Sequence, residues 1–253
     1  MRYAVEIMII TSTDNAKVAE VTKLYDKKYR KAYGKYVIEG ERLVNDAIKY
    51  GAQVTSVFVR ESAAGNYNYV NQTVVADKVF AKMCDTVSSQ GVLAVASKPI
   101  ENRSANGGNC LILDGLQDPG NVGTLLRSAA ACAFTDVYAV NCADVYSPKV
   151  LRSAMSAHFC LNLHESDNLA EVFSILDGLE IIACDIRGIN AFERKYEKKL
   201  ALVLGNEGNG LSEYAKNNAD SVVSLPMANN FESLNVAVAG SVIMYQVFSQ
   251  SLK

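Results

Sequence analysis

The sequence predicts an α/β protein whose main sheet is mostly parallel. Short apolar runs alternate with helical patterns from residue 110 to residue 253, and this alternation is typical of a parallel sheet with helices on both faces. The residues before position 98 alternate in the same way over shorter elements, so they predict a smaller α/β domain. Hydrophobic residues make up 49% of the chain and charged residues 21%, which is an ordinary globular composition.

A polar segment rich in Pro, Asn, Ser and Gly divides these two parts. It reads SKPIENRSANGGNC and has the composition of a linker between compact domains. We therefore predict a first domain at residues 1–98, a linker at 99–109 and a second domain at 110–253.

In the first domain, helix and strand signals follow one another closely. A helical pattern opens with Val18, Val21 and Leu24, and KYVIEG predicts a strand that ends at Gly40. ERLVNDAIKYG predicts an amphipathic helix closed by its final glycine. VTSVFVR and GVLAVASK predict strands, whereas residues 67–86 form a mixed, mainly helical pattern.

The first domain also carries a basic window in a chain of net charge −2. Between Lys17 and Lys35 there are seven basic residues against two acidic ones. Such a run is usually a solvated helix face, but it also suits contacts with phosphates. If the second interpretation holds, the residues of this window that would contact RNA are Lys27, Lys28, Arg30 and Lys31.

The second domain alternates six predicted strands with helices. The strands are predicted at Leu111–Leu116, Val137–Val140, Phe159–Leu163, Glu180–Asp185, Leu200–Leu204 and Ser221–Leu225. One helix begins at Pro148 after the capping residue Ser147, and another begins after Asn168. The last helix is apolar on nearly every face, so we expect it to be buried or to lie in a subunit interface.

Unusual loops follow three of these strands, where parallel sheets place their ligands. The first loop precedes a helix with Arg127 about one turn inside it, the second is the glycine-rich LVLGNEGNGLS, and the third is LPMANNFESLN. None of them contains the Gly-Lys of a phosphate loop or the G-x-G-x-x-G of a dinucleotide site. The three loops therefore predict a ligand site that is neither a phosphate loop nor a dinucleotide turn.

Several classes of protein are disfavoured by composition. The six cysteines contain no C-x-x-C pair, and His158 and His164 have no partner at ligand spacing, so no metal site is predicted. No segment has the length of a membrane span, and the opening residues are too short and interrupted for a signal peptide. A cytoplasmic protein is expected.

Three segments resemble the signature motifs of the SpoU (TrmH) class of RNA ribose 2′-O-methyltransferases, in the order found there. They are NVGTLLRSAAA, LVLGNEGNGLS and LPMANNFESLNVAVAG. The N-terminal KKYRKAYGKYVIEGERLVNDAI and SSQGVLAV resemble the ribosomal-protein-like substrate-binding domain of members that act on ribosomal RNA. One departure is Ser156 in RSAMSAHF, where relatives often have glycine.

The resemblance implies S-adenosylmethionine as cofactor, a trefoil knot in the catalytic domain, and a homodimer with its sites at the subunit interface. No metal and no membrane partner are expected, as the composition already indicated. The catalytic residues carried over from the motifs are Arg127, Asn121, Glu207, Ser233 and Asn235. The cofactor-binding residues are Gly205, Asn206, Glu207, Leu225, Met227, Leu234 and Asn235.

The resemblance assigns catalysis to Arg127, although a guanidinium is a poor base because it stays protonated in proteins. We expect it to bind the adjacent phosphate and stabilise the developing alkoxide, with direct proton acceptance as the other possibility. Ribosomal RNA is the expected substrate. The alternatives left open are a transfer RNA, a ribosomal site linked to antibiotic resistance, a non-catalytic ribosome-assembly factor and a nucleotide-binding oxidoreductase.

Overall fold

The computed structural model describes residues 9–99, 107–176, 178–229 and 232–252. These residues fall into two compact units. The N-terminal unit ends by Ile100 and also includes Tyr146–Pro148, and the C-terminal unit contains the rest. Most of the predicted linker, residues 100–106, lies outside the described residues, and the first strand of the second unit already begins at Asn109, inside the predicted linker.

Within the described residues, the N-terminal unit has a five-stranded sheet and four α-helices. The strands are β1 (Ile9–Ile10), β2 (Lys35–Glu39), β3 (Val54–Arg60), β4 (Gln72–Val75) and β5 (Val92–Ser97). They lie in the order β1-β4-β3-β5-β2, with β5 antiparallel to both neighbours and the remaining pairs parallel. The helices are α1 (Ala16–Lys23), α2 (Lys27–Tyr33), α3 (Glu41–Lys49) and α4 (Asp77–Met83), with a 3-10 helix at Glu61–Asn66.

Two local signals decide the elements that the sequence left mixed. The basic stretch divides into α1 and α2 because the Asp26 side chain caps α2, accepting from Lys28 N at 2.8 Å. The mainly helical prediction for residues 67–86 was wrong in its first half. There Gln72–Val75 form a strand between β1 and β3, since the run Thr-Val-Val suits a half-buried sheet position, and the helix begins only at Asp77.

The described residues of the C-terminal unit form a six-stranded sheet. Its strands are β6 (Asn109–Asp114), β7 (Phe134–Val140), β8 (Asn162–Ser166), β9 (Glu180–Asn190), β10 (Leu200–Gly205) and β11 (Ser221–Ser224). They lie in the order β11-β9-β10-β6-β7-β8, and every described pair is parallel. The mostly parallel α/β prediction is therefore confirmed. The helices are α5 (Pro119–Ala131), α6 (Pro148–Ala154), α7 (Leu169–Ile175), α8 (Glu213–Asn218) and α9 (Val236–Ser251).

The predicted strand Phe159–Leu163 was misplaced. Ala157–Phe159 is a 3-10 helix, and β8 begins only at Asn162. The turn before it places Ser156 at φ 73°, a left-handed conformation that glycine adopts without strain. This explains why a glycine fits the position well. The trefoil knot stays a prediction.

Glycines set the depth at which α5 packs. A Cβ at Gly240 of α9 would lie 2.4 Å from a Leu204 methyl and 2.7 Å from a Leu125 methyl. A Cβ at Gly123 of α5 would lie 2.4 Å from the Ser153 Cβ of α6. Both approaches are closer than carbon atoms tolerate, so α5 sits tightly between α9 and α6 because these two residues lack side chains.

Helix α9 is buried on one side only, in contrast to its all-round apolar sequence. Ile243 and Met244 are fully buried, whereas Val238 and Tyr245 are 51% and 53% exposed. Within the described ranges, no helix is both long and apolar enough to cross a membrane. In those same ranges, no group of three His, Cys, Asp or Glu could hold a metal ion.

Candidate active site

Three loops meet the carboxyl edge of the second sheet. The first connects β6 to α5, the second follows β10, and the third leads from β11 to α9. Strands β6 and β10 are hydrogen-bonded neighbours that run in the same direction, so their following loops emerge side by side. The third loop reaches the other two through a side chain at its far end, Asn235.

Glu207 is the centre of the contacts between the first two loops. Its Oε1 accepts from Asp118 N at 3.1 Å and from Asn121 Nδ2 at 3.2 Å. Its Oε2 accepts from Gln117 N at 3.3 Å and from Asn206 Nδ2 at 3.4 Å. Partial burial raises the pKa of Glu207. The hydrogen bonds from its own backbone amide and from Asn121, Asp118 and Gln117 together lower the pKa by more, so the carboxyl has a pKa below its ordinary value. The carboxylate is therefore held charged and in one position.

Asn121 and Asn235 extend this contact to the third loop. Asn235 Nδ2 donates to Asn121 Oδ1 at 3.0 Å, and Asn121 Nδ2 in turn donates to Glu207. The other end of the Asn235 amide caps α9, because its Oδ1 accepts from Ala237 N at 2.9 Å and from Val238 N at 3.2 Å. One hydrogen-bonded chain, Asn235–Asn121–Glu207, thus joins loops that lie far apart in the sequence.

The second loop is a tight turn with its own bonding. Asn206 and Gly210 exchange backbone hydrogen bonds at 2.8 and 2.9 Å, and the Asn206 side chain accepts from Gly208 N and donates to Gly115 O. A Cβ at Gly205 would lie 2.4 Å from the Gly210 carbonyl carbon. Glycine at position 205 is therefore required for the turn to close over the end of β10.

Arg127 lies on the same helix as Asn121 but makes no contact with the network. It is the ninth residue of α5, more than two turns from the start rather than one, because the helix begins at Pro119. Arg127 follows Asn121 by six positions, a separation of about 9 Å along the helix axis. Arg127 is exposed and forms no ion pair within the described parts of the chain. Its guanidinium is therefore open to a ligand.

The remaining predicted residues of the third loop are less constrained. Ser233 is exposed, and in the part of the chain that the structure describes its side chain has no hydrogen-bond partner. It does not cap α9, since Asn235 does. Leu225 and Met227 are half-buried, and Leu234 is 45% exposed. These three apolar side chains could line a slot for a nucleoside, as predicted, but no described contact joins them.

Two residues of the site were missed by sequence reasoning. Asp118 caps α5 by accepting from Asn121 N at 2.9 Å, and Gln117 supplies a backbone amide to Glu207. The hydrogen bond from Asn121 N, together with the nearby Lys149, lowers the pKa of Asp118, although burial acts in the opposite direction. The signal was present, because aspartate directly before a proline is typical of a helix start.

The structure separates the four predicted RNA contacts of the first unit. Lys27, Lys28 and Lys31 are exposed on α2. Arg30 is only 4% exposed, and its Nη1 donates to Leu24 O at 2.7 Å. The prediction of Arg30 as a surface contact is therefore corrected: its charge holds the end of α1, where carbonyls lack partners within the helix.

Comparison with known proteins gives consistent families for both units. Residues 108–245 match the SpoU rRNA Methylase family, and residues 15–94 match the MRM3-like substrate binding domain. An uncharacterized tRNA/rRNA methyltransferase of Synechocystis is 32% identical, over 97% of this chain and 95% of its own length. The 23S rRNA (guanosine(2553)-2′-O)-methyltransferase RlmP of Bacillus subtilis is 30% identical, over 94% of this chain and 98% of its own.

Solved structures are similar over the whole chain. A crystal structure of an RNA 2′-O ribose methyltransferase has a TM-score of 0.81 at 27% identity, and the match covers 97% of this chain and 100% of that one. The SpoU methyltransferase AviRb from Streptomyces viridochromogenes, in complex with AdoMet, has a TM-score of 0.85 and covers 94% and 99%. At 24% identity this second likeness is one of fold.

Proposed function

This chain belongs to the SpoU rRNA methylase family, and from that premise we propose that it transfers a methyl group from S-adenosylmethionine to a ribose 2′-hydroxyl of ribosomal RNA. The observation that carries the proposal is the Asn235–Asn121–Glu207 chain, which unites the three motif loops at one edge of the sheet. The Bacillus subtilis relative is by name a 23S rRNA 2′-O-methyltransferase. Ribosomal RNA is preferred over transfer RNA because the first unit matches a substrate-binding domain named after an rRNA methyltransferase.

The residues of the second and third loops fit the methyl donor. A nucleoside without phosphates needs apolar walls and backbone groups rather than a glycine-lysine cradle. Gly205 and Asn206 would present the backbone, and Leu225, Met227 and Leu234 would form the walls. When bound, S-adenosylmethionine supplies an electrophilic methyl carbon on a sulfonium. Glu207 and Asn235 would keep the two loops at a fixed separation.

Arg127 would act on the RNA. The attacking ribose oxygen becomes partly anionic as its proton leaves, and a fixed cation stabilises that charge. A guanidinium does not accept a proton at neutral pH, so we assign Arg127 to the phosphate beside the target ribose and to the developing alkoxide. Its exposure and its lack of an ion pair within the described residues support this assignment. Ser233, exposed beside Asn235, would orient the hydroxyl.

The test uses ribosomal RNA from cells that lack the protein, labelled S-adenosylmethionine, and mapping of 2′-O-methyl positions. We expect incorporation at a ribose 2′-oxygen, and a loss of about 10²–10³ in rate for Arg127→Ala, the usual effect of removing one charge-stabilising donor. Arg187→Ala is the matched control, since Arg187 is also an exposed arginine of the second unit. Full activity of Arg127→Ala would refute the role of Arg127, and absence of any incorporation would refute the function.

Binding measurements separate the remaining alternatives. Calorimetry with S-adenosylmethionine and with NAD distinguishes a methyltransferase from a nucleotide-binding oxidoreductase. A protein that binds RNA but not S-adenosylmethionine would be the non-catalytic assembly factor. By analogy with the bacterial relative RlmP, the proposal includes a cytoplasmic location.

The proposal includes a homodimer. Val238 and Tyr245 lie seven residues apart on the same side of α9, and both are about half exposed. A second copy of the chain packed on this side would bury them, as its apolar sequence led us to expect. Analytical ultracentrifugation should give a dimer at micromolar concentration, and a monomer for Val238→Glu combined with Tyr245→Glu. A wild-type monomer would contradict this.

A further inference from the structure

We propose that the first unit holds a guanine base of the RNA in a pocket around Arg60; the inference rests on the proposed RNA substrate. The pocket has a volume of about 330 Å³ and lies between the end of β3, helix α4 and the loop at residues 84–91. This is the lower end of the range of about 300–1,000 Å³ seen for small-molecule sites. It suits one nucleobase rather than a larger group.

Arg60 is the feature that points to a ligand. It lines the pocket, and its guanidinium makes no hydrogen bond or ion pair with another described residue. Its backbone N–H donates to Gly91 O at 2.9 Å, which fixes the residue at the end of β3. Guanidinium N–H groups that no protein acceptor engages are available to a ligand in the pocket.

The walls of the pocket are held in place by other side chains. The Glu39 carboxylate accepts from Asp85 N at 3.0 Å and from both the backbone and the hydroxyl of Thr86. Gly91 has φ +89°, and a Cβ there would lie 3.0 Å from the Ala63 Cβ and 3.5 Å from the Arg60 Nε. The loop is therefore fixed before any ligand binds, which limits the entropy lost on binding.

The chemistry of the walls selects the ligand. Arg60 can only donate hydrogen bonds, and the carboxylates of Asp77 and Asp85 can only accept them. One oxygen of Asp77 already accepts from Ser62 N at 3.0 Å, which leaves its other oxygen for a ligand. Two carboxylates disfavour a phosphate. Guanine offers both complements, because its O6 and N7 accept from arginine and its N1–H and N2–H₂ groups donate to a carboxylate. A guanine of single-stranded RNA thus fits better than a phosphate or an apolar group.

Aromatic rings lie near the same pocket. Tyr67 and Tyr69 stack with ring centroids 5.8 Å apart, and the Tyr67 hydroxyl donates to Gln90 O at 2.9 Å, in the loop that forms the wall. Both tyrosines are partly exposed. Exposed rings of this kind stack on unpaired bases whatever their sequence. They would accommodate nucleotides beside the bound guanine.

The experiment uses the full chain and a short single-stranded RNA with one central 8-azidoguanosine in a run of uridines. Ultraviolet crosslinking should attach the base to the peptide that contains residues 77–91. Arg60→Gln should raise the Kd at least about tenfold, the effect of losing one bidentate base contact. The matched control is Arg42→Gln, since Arg42 is an exposed arginine of the same unit. Its Nε lies 3.9 Å from Oδ2 of Asp46 on the same helix.

A second variant guards against a structural effect of removing Arg60. Ala81 is exposed and lines the pocket, so Ala81→Trp should block the pocket and weaken binding equally while Arg60 stays in place. Crosslinks elsewhere, or an unchanged Kd in both variants, would overturn the inference. Methyl transfer with an unchanged KM for ribosomal RNA in Arg60→Gln would overturn it while leaving the proposed function intact. Crosslinking to residues 77–91 without any methyl transfer would refute the proposed function and leave the base pocket in place.

Discussion

The carboxyl-edge loops of the second unit and the basic window of the first show opposite relations between sequence and space. Asn121 lies 86 positions before Glu207 and 114 positions before Asn235 in the sequence, yet its side chain is hydrogen-bonded to both. Arg30 and Lys31 are adjacent in the sequence, yet the first is buried and the second is exposed. Parallel strands collect their ends at one edge, whereas a helix turns successive side chains to different faces. Proximity in sequence is thus a poor guide to a shared surface.

The largest expected effect comes from a substitution at Gly205, the glycine that lets the second loop close over the end of β10. Gly205→Ala would force a Cβ against the backbone of Gly210 and Leu211, which cannot move as a side chain could. We expect a loss of about 3 kcal/mol or more in the free energy of unfolding, at the upper end for overpacking, together with loss of S-adenosylmethionine binding. Urea unfolding and calorimetry measure both. Gly208→Ala is the control in the same loop, because a Cβ there has no neighbour closer than 3.7 Å; equal damage from both variants would contradict the account.

Two adjacent substitutions test whether the basic window divides as the structure indicates. Arg30→Gln should cost about 2 kcal/mol of unfolding free energy, because a charged hydrogen bond to the end of α1 is lost from a buried position. Lys31→Gln should leave stability unchanged and reduce the salt dependence of RNA binding by about one unit of slope. Thermal melts and RNA titrations at several salt concentrations give both quantities. The reverse pattern would show that Arg30, and not Lys31, faces the RNA.

Glu207→Gln should weaken the link between the first and second loops. We expect a loss of about 1–2 kcal/mol at pH 7, since the neutral amide directs an NH₂ group toward donors that need an acceptor. The lowered pKa of Glu207 adds a pH dependence. Its contribution is complete above the ordinary value of 4.5 and is lost as the pH falls through the lower folded value. Unfolding free energies of the wild type and Glu207→Gln should therefore converge in acid; a constant difference would contradict the assignment.

The smallest effect distinguishes two neighbours in the third loop. Asn235→Ala removes the cap of α9 and should cost about 1 kcal/mol, whereas Ser233→Ala should stay within about 0.5 kcal/mol. Under the proposed function both should slow methyl transfer. Differential scanning fluorimetry combined with a single-turnover assay separates stability from rate. If Ser233→Ala were the more destabilising change, Asn235 would not be the cap.

How much of the fold and of the site could be predicted depends on the kind of pattern in the sequence. Apolar alternation predicted the parallel sheet because strands buried on both faces need little else to be recognised. Residues 67–86 were misread because a short apolar run does not distinguish strand from helix. The site residues Asn121, Glu207 and Asn235 came from motif resemblance, and their hydrogen bonds could not be foreseen because they depend on strand order. The prediction that Arg30 contacts RNA was wrong because charge alone does not indicate which side of a helix faces the core.

The amide of Asn235 serves two structures at once, since its oxygen starts α9 and its nitrogen reaches Asn121. The start of α9 and the motif loops are therefore coupled, since fraying of the first turn of α9 would release the third loop from the other two. A change that frays only this turn should leave the parallel sheet paired and still prevent the complete pocket from forming.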